Sequence, residues 1–362
     1  MITGHHSYLR ILTMKSDAVR GTCLLMCPES EIQMRQREGL VHVLETRDRR
    51  EVRKGERIMA DRRRMVKSYS RSAAGKDMLC ADVLRPPPVL KRTINYLLSV
   101  AVCETNVAWP TVYEFVTDRL RSVRQDMVIQ QPPAAVCCSI LEPMVRFHAY
   151  AAYRLCEEPL EVYDPHLNAT HLNESLKQLL VSYDASEIST MSPAQDQMEA
   201  LYGLLHLGNV DALYRMLSLT PSKDGMLDIA LQMSIARFHN NYVRVCRLMK
   251  HLPPLLACVA ALHLPSIRRN ALSVMNSAYS SKNLHFPVEH LGRLLLYESD
   301  KEVIEDCSHY GLRASDSSVT FLKGSFDFEA KDSKVKKLGF VDESIASVSL
   351  PELLLSDGDP ES

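Results

Sequence analysis

The chain has 362 residues, 46% of them hydrophobic, which is enough to bury a large core and build two or three packed units. Its 43 Lys and Arg nearly balance 44 Asp and Glu, so no global field draws in nucleic acid or an anionic membrane. No run approaches the roughly 18 consecutive apolar residues of a membrane span, and the most apolar stretch, 252–264, is broken by Pro253 and Pro254.

Residues 1–20 begin "MITGHHSYLR", with no cationic region leading into an apolar core, so secretion is not expected and the segment reads as flexible. Ten cysteines are scattered singly apart from Cys137 and Cys138, a pattern of reduced thiols in cytosol or nucleus. The sequons at Asn168 and Asn173 carry no weight in such a compartment.

Residues 21–85 read as a strap followed by a basic arm. The strap, "GTCLLMCPESEIQMR", sets Cys23 and Cys27 four apart just before Pro28. Structural zinc needs about four ligands, usually in two close pairs. The second pair is missing, because adjacent Cys137 and Cys138 would diverge by about 100° on a helix. A thiolate at Cys27, near a helix N-terminus, is the alternative, and a thiol-based enzyme or sensor is its remote extension. The simpler reading is a strap. Pro28 starts a helix, Glu29 and Glu31 favour its positive end, and Cys23, Leu25, Met26 and Cys27 pack.

From Arg35 to Arg71 there are thirteen Lys or Arg against six Asp or Glu. Within this arm Arg62, Arg63, Arg64, Lys67 and Arg71 are candidate contacts for RNA or an acidic protein surface. A solvated helix face with internal Arg–Glu pairs is the competing reading.

Residues 86–264 read as a helical-repeat domain. Pro110 suits a first helical turn, and Val112, Phe115, Val116, Leu120, Val123 and Met127 form one apolar stripe. On the same segment "DRLRSVRQD" places Asp118 one turn from Arg121, which favours a structural ion-pair set. Ser192 and Pro193 open a helix that Gly208-Asn209 closes, and "VDALYRMLSL" follows at once. Helices are expected near 224–239, 242–250 and 254–262. Short turns between amphipathic helices suggest an all-α fold of stacked helical hairpins, an α-solenoid.

Residues 265–326 change pattern. A helix over 266–281, two more in "FPVEHLGRLLLYES" and "DKEVIEDCSHYGL", and the short runs "LRAS" and "VTFLKG" have the order of a winged helix. Pro287 and Asp300 suit helix starts, and Gly311 a stop. Its third helix carries Asp300, Glu302, Glu305 and Asp306 against Lys301 alone, so it suits protein contact better than a DNA groove. Lys323, expected at the hairpin tip, is a further candidate for a shared RNA surface. Residues 327–362 hold nine Asp or Glu against four Lys and read as a loose acidic tail, with "VSLPELLLS" as a candidate apolar anchor.

No phosphate loop, dinucleotide fingerprint, H-E-x-x-H or nucleophile elbow occurs. No catalytic residue, metal, cofactor or small-molecule substrate is assigned.

Together, "GTCLLMCPESEIQMR", "MVKSYSRSAAG", "DVLRPPPVLKRTINYLL", "VYEFVTDRLRSVRQDM", "RFHAYAAYRL" and "YDPHLNATHLNESLKQLL" resemble, in order, the blocks of the GANP / leucine-permease transcriptional regulator (Sac-three-type) family. The likeness covers about residues 20 to 325. It implies structural signature positions at Gly21, Cys23, Cys27, Pro28, Glu31, Arg35, Arg119, Arg121, Arg124 and Asp126. It also implies a helical-repeat region capped by a C-terminal winged helix of the proteasome-lid/signalosome/initiation-factor (PCI) type. The implied role is a non-catalytic scaffold in nucleus and cytoplasm, pairing with another PCI-type subunit in mRNA export. A short branch is associated with centrosome duplication and the mitotic spindle. With no Phe-Gly repeats and no long C-terminal helix, the chain is more similar to that branch, whose partners would be centrosome or spindle components.

Overall fold

The computed structural model describes residues 19–46, 59–71, 80–186, 190–219, 221, 223 and 225–355. The flexible stretch expected before residue 19, most of the basic arm and the last seven residues of the acidic tail lie outside the described residues. The chain is helical with little strand, as expected, and divides into two compact units, residues 1–144 and 145–362.

In the first unit, α1 (Glu29–Arg37) has Glu29 and Glu31 in its first turn and Arg35 and Arg37 in its last, each matched to the helix dipole. Pro28 is its N-cap rather than its first helical residue. Two short 3₁₀ turns follow, Val43–Glu45 and Ala81–Val83. Then come α2 (Pro87–Tyr96), continued by one π turn over Leu97–Ala101, and α3 (Trp109–Gln130). The stripe expected on α3 is the buried one: Val112, Phe115, Val116, Leu120, Val123 and Met127 are all in the core. The division between the units falls inside α4 (Ala134–Arg154).

The second unit continues with α5 (Pro165–Asp184), α6 (Pro193–Leu205) and α7 (Val210–Ser218). Ser192 caps α6 by accepting from the Gln195 N–H, and Asn209 caps α7, the two helices being separated by Gly208 at φ +91°. Next are α8 (Met226–Phe238), α9 (Tyr242–Met249), α10 (Pro254–Ala261) and α11 (Leu264–Ala278). Helix α6 packs on α7, α8 and α10, while α9 packs on α8 and α11.

After α11, β1 (Phe286–Pro287) leads directly into α12 (Val288–Leu295) and α13 (Asp300–His309). Strands β2 (Arg313–Ala314) and β3 (Ser318–Thr320) complete an antiparallel sheet of order β1-β3-β2. Phe286 and Ala314 both register against Val319. Pro287 and Gly311 sit at the helix boundaries expected of them, and Gly311 has φ +77°. Val319 and Phe321 are buried and Leu322 is half-buried, in keeping with strand alternation.

Two expectations need correction. Lys323 is exposed, but it lies in the turn after β3, while the turn joining β2 to β3 is 315–317. The stretch expected to be a loose acidic tail carries α14 (Gly339–Ala346) and α15 (Leu350–Leu355). Leu338, Val341, Leu353 and Leu354 are buried there, and the Tyr153 hydroxyl accepts from the Leu338 N–H at 2.8 Å. The candidate anchor "VSLPELLLS" does bury Leu353 and Leu354, but averaging charge over the rest of the segment hid the apolar Leu338 and Val341.

Candidate functional site: a buried charge network beneath the strap

Residues 21–27, 65–71 and 80–85 lie along α3, and their backbones are joined directly. Thr22 N–H donates to Ala81 O at 2.8 Å, Cys23 N–H to Leu84 O at 3.0 Å, and Lys67 N–H to Met26 O at 2.9 Å. Gly21 makes this approach possible. A Cβ there would sit 2.3 Å from the Leu84 carbonyl oxygen, which is backbone and cannot rotate away. Its N–H donates to Gln130 Oε1 at 2.9 Å, and Gln130 Nε2 donates to Arg85 O at 2.8 Å.

Two carboxylates organise the side chains. Asp126, fully buried on α3, accepts from Arg85 Nε and Lys67 Nζ, each at 2.7 Å. Arg85, also fully buried, donates further to Ser122 Oγ at 2.8 Å and Met26 O at 3.2 Å. Glu45 is the second centre. It is fully buried and bidentate with Arg35, takes Arg119 Nη2 at 3.3 Å, and accepts the Val66 N–H at 3.1 Å. Arg119 also pairs with Asp118, whose carboxylate accepts the Tyr69 N–H at 3.2 Å. Glu31 accepts both the N–H and the hydroxyl of Ser68 at 2.8 Å, and Arg121 lies 3.9 Å over the Tyr69 ring.

Burial opposes the Arg35 charge, but Glu45 beside it prevails and holds the guanidinium above its ordinary value. His42 goes the other way. Burial, reinforced by Arg119, pushes it down to about 4, and its neutral Nδ1 accepts the Leu44 N–H at 3.2 Å. Cys27 sits in an apolar cluster with Ile32, Val41 and Met65. Burial, with Glu31 adding to it, pushes its thiol well above the usual range, the reverse of the shift a reactive thiolate needs.

The arrangement is a brace, and the comparisons locate it in a known family. The model of the SAC3/GANP family matches residues 26–316. The chain belongs to the SAC3/GANP family. It is similar to SAC3 family protein 1 of Schizosaccharomyces pombe, at 28% identity over 86% of this chain and 32% of that protein. It is also similar to SAC3 family protein B of Arabidopsis thaliana, at 26% over 91% and 20%. Protein xmas of Drosophila melanogaster matches at 25% over 93% and 17%. The chain thus spans about a third or less of the length of the curated relatives it matches.

Most of the positions that the resemblance implies as structural signatures converge on the network of this SAC3/GANP chain. Gly21, Glu31, Arg35, Arg119, Arg121 and Asp126 make the contacts above, Cys23 and Pro28 are buried beside them, and Arg124 is half-buried on α3. The expected pairing of Asp118 with Arg121 gives way to Asp118 with Arg119.

The basic arm splits in two. Lys67 points inward to Asp126 and Val83 O, and Arg64 contacts Asp61 at 3.3 Å and Thr46 O at 3.1 Å. Arg62, Arg63 and Arg71 are exposed, and Arg62 reaches Glu29 at 2.7 Å. Sequence reading missed Glu45, Arg85, Ser122 and Gln130, whose partners lie far along the chain. The signals available were slight: a Glu among the apolar residues of "VHVLET", and an Arg directly before three prolines.

Proposed function

We propose that the chain is a non-catalytic scaffold whose C-terminal helices and sheet form a winged helix that docks another PCI-type subunit, in the service of nuclear mRNA export. The observation that carries this reading is the β1-β3-β2 sheet closing over α12 and α13, after a succession of short helices packed on their neighbours. On this reading the domains are a strap and basic arm over 21–85, a repeat region over 86–264 and a winged helix over 265–326. Such an order suits protein docking. Asp306 of α13 is occupied in holding its own chain: its two oxygens accept from the Tyr297 and Ser333 hydroxyls, while Glu302 accepts from Lys336 at 3.1 Å. Residues 331–336 therefore run beside the helix that a DNA reader would place in the major groove. This favours a protein partner over a duplex.

RNA would meet the outward cations Arg62, Arg63 and Arg71 of the first unit and, separately, Lys323 of the second. Replacing these four with Ala in the full chain should lower affinity for single-stranded RNA and flatten its salt dependence, with the unfolding midpoint unchanged. Unchanged affinity and salt slope would remove RNA from the proposal. The docking claim is tested by co-purification of the full chain with PCI-type subunits. Loss of that association on charge reversal at Lys323 and Arg313 is expected, and its persistence would move the interface elsewhere. A role at centrosome and spindle is the second part of the reading, supported by the resemblance to the short branch. Spindle defects on depletion, rescued by a chain unable to crosslink RNA, would favour it over export.

A further inference from the structure

The face between α9 and α12 carries a groove that neither the network nor the sheet uses. We propose that it docks an acidic peptide segment of a partner protein, in which carboxylates alternate with apolar side chains. Its cationic half is a cavity of about 350 Å³ lined by Arg247, Lys250 and Arg293, with the imidazole of His290 beside them. All four are exposed. Among the described residues Arg247 and Lys250 make no ion pair, and Arg293 has only a 3.5 Å contact with Glu289 across open solvent, a kind of pair that holds little. No carboxylate lines this half. Concave walls carrying one sign of charge focus the field on whatever enters.

The spacing explains the pattern. Val243, Cys246, Arg247 and Lys250 recur at helical period along α9 and its C-cap, and His290, Arg293 and Leu294 do so on α12. Each helix therefore presents cations at the rim and apolar groups below, so Val243, Cys246, Leu294 and Leu296 form the floor.

The groove continues. Lys250, Arg293 and Leu296 also border a cavity of about 540 Å³ whose other lining includes Tyr297, Glu298, Phe340 and Glu343. Two carboxylates there end the positive field. A nucleic-acid backbone repeats its charge at every nucleotide and would carry phosphate past both of them. The Tyr297 ring offers no base a stacking face on the side where Arg268 lies 3.8 Å over it. A peptide changes character from residue to residue. It can set carboxylates against Arg247, Lys250 and Arg293 and lay an apolar side chain on Leu294 and Leu296, and the volumes suit such an occupant. The inference does not rest on the PCI-type partner, because it concerns a different face of the second unit.

The test is fluorescence polarisation on the full chain with three probes: a labelled peptide alternating Glu and Leu, one alternating Glu and Ser, and an oligouridylate. The Glu–Leu peptide should bind most tightly. The triple variant Arg247→Glu, Lys250→Glu, Arg293→Glu should weaken it about 10- to 30-fold and flatten its salt dependence. Should that variant fail to fold, Lys250→Glu and Arg293→Glu singly should each weaken binding several-fold. The proposal is overturned if the Glu–Leu peptide does not bind, if both peptides bind alike, or if the reversals leave affinity unchanged. It is equally overturned if the oligouridylate is the probe that binds best and is lost on reversal, which would make the groove an RNA site.

Discussion

Asp126→Asn is the sharpest perturbation of the brace, because it removes one charge and almost no volume. Asp126 and Arg85 are both fully buried, and Lys67 is 12% exposed. The amide would leave the Arg85 guanidinium facing neutral acceptors only, Ser122 Oγ and Met26 O. Removing one partner of a buried pair destabilises by about 3–5 kcal/mol, since the remaining charge is stranded away from water. Lys67 can partly turn toward solvent, so the Arg85 term dominates. The single tryptophan, Trp109, begins α3 and stacks on Tyr113 at 6.3 Å, so its fluorescence follows the unit that holds the network. With a urea slope of about 2 kcal/mol per molar, the midpoint should fall by roughly 1.5–2.5 M. The double variant Asp126→Leu, Arg85→Met should recover most of that loss, because it strands no fully buried charge and Lys67 can turn toward solvent. A single-variant loss under about 1 kcal/mol would refute the account, and so would a double variant as weak as the sum of both singles.

Further outcomes follow from the same contacts. Gly21→Ala should destabilise by about 1–3 kcal/mol, since the new Cβ meets backbone at Leu84; an unchanged urea midpoint would mean the strap can shift outward. His42 is held neutral in the fold, so the unfolded chain takes up a proton first as pH falls, and stability should drop between about 6.5 and 4. Over that window His42→Asn, which keeps a capping acceptor, should show a shallower fall in Trp109-detected stability than the parent. Identical pH profiles for the two would count against it. Under native alkylation followed by peptide mass spectrometry, exposed Cys80 should label well before Cys27, whose buried thiol is pushed up. Early labelling at Cys27 would restore the sensor reading.

What could be read from the sequence was local. The α3 stripe, the Ser192 cap and the Gly311 stop depend on neighbours within a turn or two, where residue type decides conformation. What could not be read was paired at distance. Glu45 meets Arg119 across 74 residues and Arg85 meets Asp126 across 41, and no periodicity encodes such meetings. Strand β1 is only two residues long and gains its identity from β3, so nothing in "FP" alone announces it.

The basic arm shows why charge composition misleads at this scale. Its cations look alike in a row, yet they divide by what lies opposite them. Lys67 and Arg64 face fixed acceptors, Asp126 and Val83 O for one, Asp61 and Thr46 O for the other, whereas Arg63 and Arg71 are exposed and Arg62 meets the partly exposed carboxylate of Glu29. A substitution set that includes Lys67 would lower stability and binding together, and the loss of binding would carry no information about RNA. Restricting the set to Arg62, Arg63, Arg71 and Lys323 separates the two effects, because none of the four touches a fully buried carboxylate. If Lys67→Ala alone lowers the Trp109-detected midpoint while the outward set leaves it in place, the arm is part brace and part surface. Equal destabilisation by both sets would instead mean that the outward cations also hold the strap down.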